Sequence, residues 1–373
     1  THVLTQKTTR PGGVQNLSIS QINTEKAELQ WAAATDKDVV VGGFVVIKHS
    51  TNTNDTFETA ASLIVVPGST TTAIVPAITG KYFAKFENIL GVQSLSAASV
   101  NFTKSNQDLT LIYDRKEDTD NPTFQGTFTN TEKYTAPNYS TPLNGIVLKG
   151  DILWDSVTSV DALNNWDFPN NVQSTGEYVF DNNLDLEHQF EVHFERRLAF
   201  TGFNVSTGAA VSDVDAKVYV RTTNDDPDSG SASFSAWQEF SSIMLNARGF
   251  EFKVVLTSSN TTSNICITEL GVKGFMRTKT DISFIPIDSG TSAAKAVTYS
   301  SRFFGGVPET VGGNDAFKPA VNATLLNGQQ GDFFTIDNQT IITDPAVGFV
   351  IRVKNSSGLG VDRQFVYQAI GLG

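Results

Sequence analysis

Apolar and polar residues alternate along most of this chain, and a period of two admits few folds. In an extended strand successive side chains point to opposite faces, whereas a helix repeats every 3.6 residues. In Gln189-Phe190-Glu191-Val192-His193-Phe194-Glu195 the apolar residues fall on even positions and the polar ones on odd positions. The even face is expected to pack and the odd face to meet water. Phe250-Glu251-Phe252-Lys253-Val254-Val255-Leu256, Phe349-Val350-Ile351-Arg352-Val353-Lys354 and Leu29-Gln30-Trp31 repeat the pattern, and only Ser159 to Trp166 has locally helical spacing. Between the runs lie turn clusters such as Asn224 to Gly230 and Val311 to Asp315, rich in residues that tolerate tight reversals. Many short strands with frequent turns predict an all-β chain of tandem β-sandwich and jelly-roll domains.

At 373 residues the chain is too long for one core. Composition shifts after Phe102 and near Arg277-Thr278-Lys279-Thr280 suggest a leading linker (1–10) and three units, at 11–103, 104–280 and 281–373. No fixed-period repeat, collagen triplet or sustained heptad is visible, which argues against a solenoid, a propeller or a fibrous shaft. The chain opens Thr1-His2-Val3 without Met, so more protein is expected upstream.

The charge balance narrows the chemistry. A net charge of −12 with no cluster of Lys and Arg disfavours nucleic acid as a partner. The mixed run Asp114-Arg115-Lys116-Glu117-Asp118 reads as a solvated connector. The single Cys266 cannot form an intrachain disulfide and sits in an alternating strand, as a half-buried thiol would. No Gly-x-Ser-x-Gly, Cys-x-x-Cys, His-Glu-x-x-His or phosphate-binding glycine loop occurs, so no catalytic residue and no cofactor is assigned. His188 and His193 are five apart on a strand and face opposite ways, which rules out a shared ion. Asn224, Asp226 and Asp228 have the alternate spacing of a calcium loop, but Gly230 comes one place late and no closing Glu follows, so a solvated hairpin tip is the favoured reading. Trp154 and Trp166, with Tyr134 and Tyr139 nearby, offer aromatic faces for stacking on sugar rings, or else core and subunit contacts.

Three stretches carry family resemblances. Arg10-Pro11-Gly12-Gly13-Val14 followed by Leu29-Gln30-Trp31, Gly43 to Lys48 and Gly80-Lys81-Tyr82-Phe83 resembles a fibronectin type III domain, with Trp31 and Tyr82 as its core aromatics. Gly176 to Phe180, Lys217 to Arg221, Trp237 to Phe240 and Ala247 to Phe252 are similar in order to discoidin-like or carbohydrate-binding jelly rolls. The closing run Phe365-Val366-Tyr367-Gln368-Ala369-Ile370-Gly371-Leu372-Gly373 resembles the H-type-lectin-like sandwich that ends many phage fibre proteins, although Leu372 stands where an aromatic is usual. Together they resemble the distal region of siphophage host-specificity proteins of the J type, the tip attachment or central tail fibre family. That resemblance implies a homotrimer at the virion tail tip, joined to hub proteins and exposed outside the cell, that binds a host surface glycan or outer-membrane protein without catalysis.

Within such a fold, loops at strand ends carry recognition. The segments 311–318 and 327–332 present Asn314, Asp315, Phe317 and Lys318, and Asn327, Gln329 and Asp332, a mixture of adaptable hydrogen-bonding groups around an apolar anchor. Two other readings stay open: an accessory carbohydrate-binding region of a secreted polysaccharide-degrading enzyme, and a bacterial surface adhesin.

Overall fold

The structure, a computed structural model, describes residues 10–105, 109–117, 124–136, 143–150, 171–290, 294–337 and 344–373. Across them the chain is all-β, as the alternation requires. The sole helical turn among the described residues is Lys37–Val40, and the helical spacing at 159–166 lies outside them.

The first unit contains β1 (Ser18–Gln21), β2 (Lys26–Gln30), β3 (Phe44–Ser50), β4 (Ala61–Pro67), β5 (Thr72–Pro76), β6 (Gly80–Glu87) and β7 (Ala98–Phe102). They form a three-stranded sheet, β1-β2-β5, facing a four-stranded sheet, β4-β3-β6-β7, the sandwich expected from its fibronectin type III-like sequence. Trp31 and Tyr82 fill the space between the sheets, 5% and 0% exposed, each with its polar end satisfied. Trp31 Nε1 donates to the Thr70 carbonyl at 3.0 Å, and the Tyr82 hydroxyl accepts from the Ile78 amide at 3.0 Å while donating to the Pro76 carbonyl. Burial of two such rings stabilises the sandwich only because neither leaves an orphaned donor.

The middle of the chain supplies β8 (Leu109–Lys116), β9 (Thr127–Thr129), β10 (Thr131–Ala136), β11 (Leu143–Leu148), β12 (Thr175–Val179), β13 (Leu184–Asn204), β14 (Val214–Thr223), β15 (Gln238–Glu239), β16 (Ser242–Ser258) and β17 (Ser263–Ile282). Three of these are long enough to serve two sets of partners. Through Leu184–Glu195 β13 pairs with β16, and from His193 to Asn204 it pairs with β17. Phe194, Phe250 and Phe252 meet edge-to-face at 4.8 and 5.2 Å in the core between them. β17 carries Cys266, which is fully buried, and then pairs with β8 through Arg277.

The C-terminal stretch adds β18 (Ile287–Asp288), β19 (Lys295–Thr298), β20 (Ala320–Leu325), β21 (Phe333–Asp337), β22 (Gly348–Lys354) and β23 (Gln364–Leu372). The boundary expected near residue 280 falls inside β17, whose Thr278–Ile282 pairs with β23, so one sheet runs from the middle of the chain into its end. A second sheet, β19-β22-β21, packs a core of Val297, Tyr299, Phe349 and Ile351 against Phe365, Tyr367 and Ala369 of β23. The aromatic-x-aromatic-x-Ala run therefore points inward, and Leu372 is buried as well, in the core of the middle strands.

The wet face expected for β13 is only partly wet. Glu191 is exposed, but His193 and Glu195 are 1% and 6% exposed, because the first unit lies on them. Lys104, which follows β7, ion-pairs with Glu195, and its Nζ lies 2.9 Å from His193 Nε2. Thr51 donates to Glu269 at 2.8 Å and the Ser62 amide to Asp215 at 3.3 Å across the same seam. A polar strand face can be buried when every charge on it meets a partner.

Candidate functional site

A groove of about 320 Å³ opens where the start of β13 meets the C-terminal sandwich. Its middle wall is Leu186 to His188 with Phe190, and its C-terminal wall runs through Arg302, Phe304 to Val307, Asn314, Asp315 and Asp344 to Ala346. The local sequence explains the first wall. The polar triplet Glu187-His188-Gln189 interrupts the alternation, and the β13–β16 register shifts between Asp185 and Phe190. Glu187 adopts φ 60° and its amide donates to Asp185 Oδ1 at 2.7 Å. Arg248 of β16 clamps the same Asp185 through bonds of 2.9 and 2.7 Å. Burial works to raise the Asp185 pKa, but the Arg248 bond and charge outweigh it and hold the carboxyl below its usual range.

The second wall is a loop folded back on itself. Gly306 has φ 102°, and a Cβ there would lie 2.6 Å from the Gly313 carbonyl, so only glycine lets the two backbones approach this closely. Thr310 staples the loop by accepting from the Val307 amide at 3.1 Å and donating to the Val307 carbonyl at 2.7 Å. The Val311 amide donates to Ile112 of β8 at 2.8 Å, tying the loop to the middle strands. Beneath the groove Phe190 and Phe304 meet at 5.3 Å and 76°, but both are buried, so the surface the groove offers is mostly polar. Its rim is polar, with Arg302 bound to Asp344 at 2.6 Å and exposed Asn314 and Asp315 beside them.

The predicted residues divide between two places. Asn314 and Asp315 line the groove, and Lys318 pairs with Asp315 at 3.2 Å. Phe317, expected as a projecting anchor, is half-buried and stacks on Phe304 at 5.7 Å, so it supports the floor from behind. Asn327, Gln329 and Asp332 lie beyond the far end of β20, a strand whose six residues span roughly 17–20 Å. The two loops therefore cannot form one contact patch. Asn327 accepts from the Gln364 amide at 2.6 Å and Asp332 accepts from the Gln329 amide and from Arg363 Nε, so this second loop spends these polar groups on itself and on the start of β23. Gln329 remains exposed there.

Arg302, Asp344, Glu187 and His188 were missed in the sequence. Glu187 and Asp315 come to line one groove because strands far apart in sequence pack together, and the one local signal was the break in alternation at Glu187-His188-Gln189. The hairpin 224–230 is held by its own bonds: Asp226 accepts from the Asp228 amide at 3.0 Å and faces Arg248 at 3.4 Å. A guanidinium thus sits beside the carboxylate that a calcium ion would need. Among the described residues no three His, Cys, Asp or Glu converge on a metal position. Of the aromatic candidates, Tyr134 is buried and stacks on Phe203 at 6.0 Å, so its face is not offered to a sugar. Trp154, Trp166 and Tyr139 lie outside the described residues.

No protein-family model matches the chain, and no curated protein matches it. Among solved structures the chain is similar to a carbohydrate-binding module of the β-sandwich superfamily, with 11% identity and a TM-score of 0.19 over 71% of this chain and 98% of that one. It is also similar to VP2 of the infectious bursal disease virus subviral particle, with 7% identity and a TM-score of 0.21 over 96% of this chain and 66% of that one. Superpositions this loose specify neither a shared fold nor a shared ligand.

Proposed function

We propose that this chain is the distal part of a phage tail-tip fibre that binds a bacterial surface receptor without bond chemistry. The observation that carries the reading is the groove between β13 and the C-terminal sandwich. It sets the amide of Asn314, the carboxylate of Asp315 and the half-buried guanidinium of Arg302 on loops held by rigid strands over a buried aromatic base, an arrangement suited to a glycan or an outer-membrane protein loop. The resemblance of the sequence to J-type host-specificity proteins supports a homotrimer attached to hub proteins. Three grooves on one particle would strengthen weak single contacts by raising effective concentration. The acidic surface disfavours nucleic acid as the partner.

Binding of the fluorescently labelled chain to susceptible bacteria tests the reading. Asn314→Arg, which projects a long side chain over the rim, is expected to abolish binding while the circular-dichroism spectrum stays that of a β protein. Gln329→Arg at the far loop is expected to leave binding intact. Equal binding by all three proteins, or none by the unaltered chain, would refute the assignment of the groove.

A further inference from the structure

A larger cleft, about 960 Å³, lies between the first unit and the middle strands. One wall is the β3–β6 face of the first sandwich with the turn carrying Phe57 and Glu58. The other is the start of β14 and the end of β16, held side by side by the Val214–Ser258 and Asp215–Thr257 pairing. Its volume stands at the upper end of the ~300–1,000 Å³ typical of small-molecule sites.

Lys48 makes this cleft more than a gap between two packed bodies. Its side chain leaves β3 beside a register shift between Ile47 and Lys48 and lines the cleft, although the residue is only 7% exposed. Its ammonium lies 5.0 Å from the Phe57 ring centre and has no hydrogen-bond or salt-bridge partner among the described residues. Lys85, on the neighbouring strand, sits 4.7 Å from the same ring but is paired with Glu58 at 3.0 Å. Burial lowers the Lys48 pKa, and the charges of Asp215 and Glu58, which act the other way, do not restore it. Because this ammonium reaches the open cleft yet meets no acceptor of its own, a ligand entering the cleft can supply one.

We infer that this cleft binds a carboxylated sugar residue of an acidic polysaccharide, with Lys48 as the carboxylate's partner. Three cations line it: Arg10, Lys48 and Lys85. Four carboxylates, those of Glu58, Glu87, Asp213 and Asp215, line it as well. With Lys85 committed to Glu58, carboxylates outnumber the remaining cations, which excludes a multiply charged phosphate and leaves Lys48 as the one place where a single negative group among several hydroxyls is met. The ligand's carboxylate meets Lys48, and its hydroxyls donate to the cleft carboxylates and exchange bonds with Ser212 and Ser259 on the opposite wall. The site is separate from the groove beside Asn314 and does not depend on it.

Calorimetric titration of the intact chain with cellobiouronate, a disaccharide carrying one carboxylate, against cellobiose as a neutral sugar of equal length, tests the inference. Cellobiouronate is expected to bind and cellobiose to bind at least about tenfold more weakly, as the loss of a charge-assisted bond requires. Lys48→Met should weaken cellobiouronate binding by roughly ten- to a hundredfold, with Lys48→Arg restoring most of it. Ser212→Trp, at an exposed position on the opposite wall, should block the cleft independently of Lys48. The inference is overturned if cellobiouronate does not bind, if cellobiose binds equally well, or if Lys48→Met or Ser212→Trp leaves binding unchanged.

Discussion

Removing Glu195 should uncouple the first unit from the middle strands. Its carboxylate ion-pairs with Lys104, whose side chain is 0% exposed, while its own is 7% exposed, and His193 Nε2 lies 3.3 Å away. Breaking a pair this deeply buried leaves an ammonium without an anion and costs about 3–5 kcal/mol, whereas replacing both partners with apolar groups of similar volume is close to neutral. Glu195→Leu and Lys104→Met should therefore each destabilise the protein by about 3–5 kcal/mol, and the double variant should recover to within about 1 kcal/mol of the unaltered chain. Guanidinium denaturation followed by far-ultraviolet circular dichroism measures all three. Repeating it in 1 M NaCl should change the coupling little, because a pair excluded from water is poorly screened. Burial works to raise the Glu195 pKa, but the bonds to His193 and Lys104 and their charges hold it below its ordinary value of 4.5. The stabilisation is therefore present above about pH 4.5 and is lost as the pH falls through the lowered folded value. Single variants costing under about 1 kcal/mol, or a double variant as unstable as the sum of the two, would refute the coupling.

Other parts of the fold yield further tests. Burial and the nearby Arg196 charge lower the His49 pKa from 6.5 to about 3, against backbone bonds to Ile78 and Thr79, so the unfolded chain takes up a proton that the folded one refuses. Stability should fall by up to about 1.4 kcal/mol per pH unit below 6.5, and a His49→Gln variant with an equally steep dependence between pH 6 and 4 would contradict this. Burial pushes the Cys266 thiol up to about 12, so a thiol reagent at pH 8 should modify it only after denaturant is added, and fast modification of the native protein would place it nearer the surface. Gly306→Ala should cost about 1–3 kcal/mol from its backbone angle alone and abolish cell binding with the loop, as melting and the labelled-chain assay would show. Unchanged melting and binding would mean that the close approach to Gly313 is dispensable.

Much of the architecture was legible because strand periodicity is a local property. Phe190, Val192 and Phe194 face the core as their spacing required, and Trp31 and Tyr82 fill the first sandwich. What escaped the sequence was everything set by one part of the chain lying on another. His193 and Glu195 read as wet because nothing near them shows that the Lys104 segment covers them. The site was half legible. Asn314 and Asp315 carry the composition of a recognition loop and do line the groove, but the similar loop at Asn327 to Asp332 lies at the other end of β20. Composition marks both loops, and only the direction of the strand between them separates one from the other.

The reading of this chain as a receptor-binding tail tip is tested most directly by immunogold electron microscopy of the virion that carries it, using antibody raised against residues 281–373. The proposal predicts gold confined to the distal end of the tail, with the same antibody blocking attachment to cells. Gold on the capsid, or label on bacterial surfaces in the absence of any particle, would contradict it.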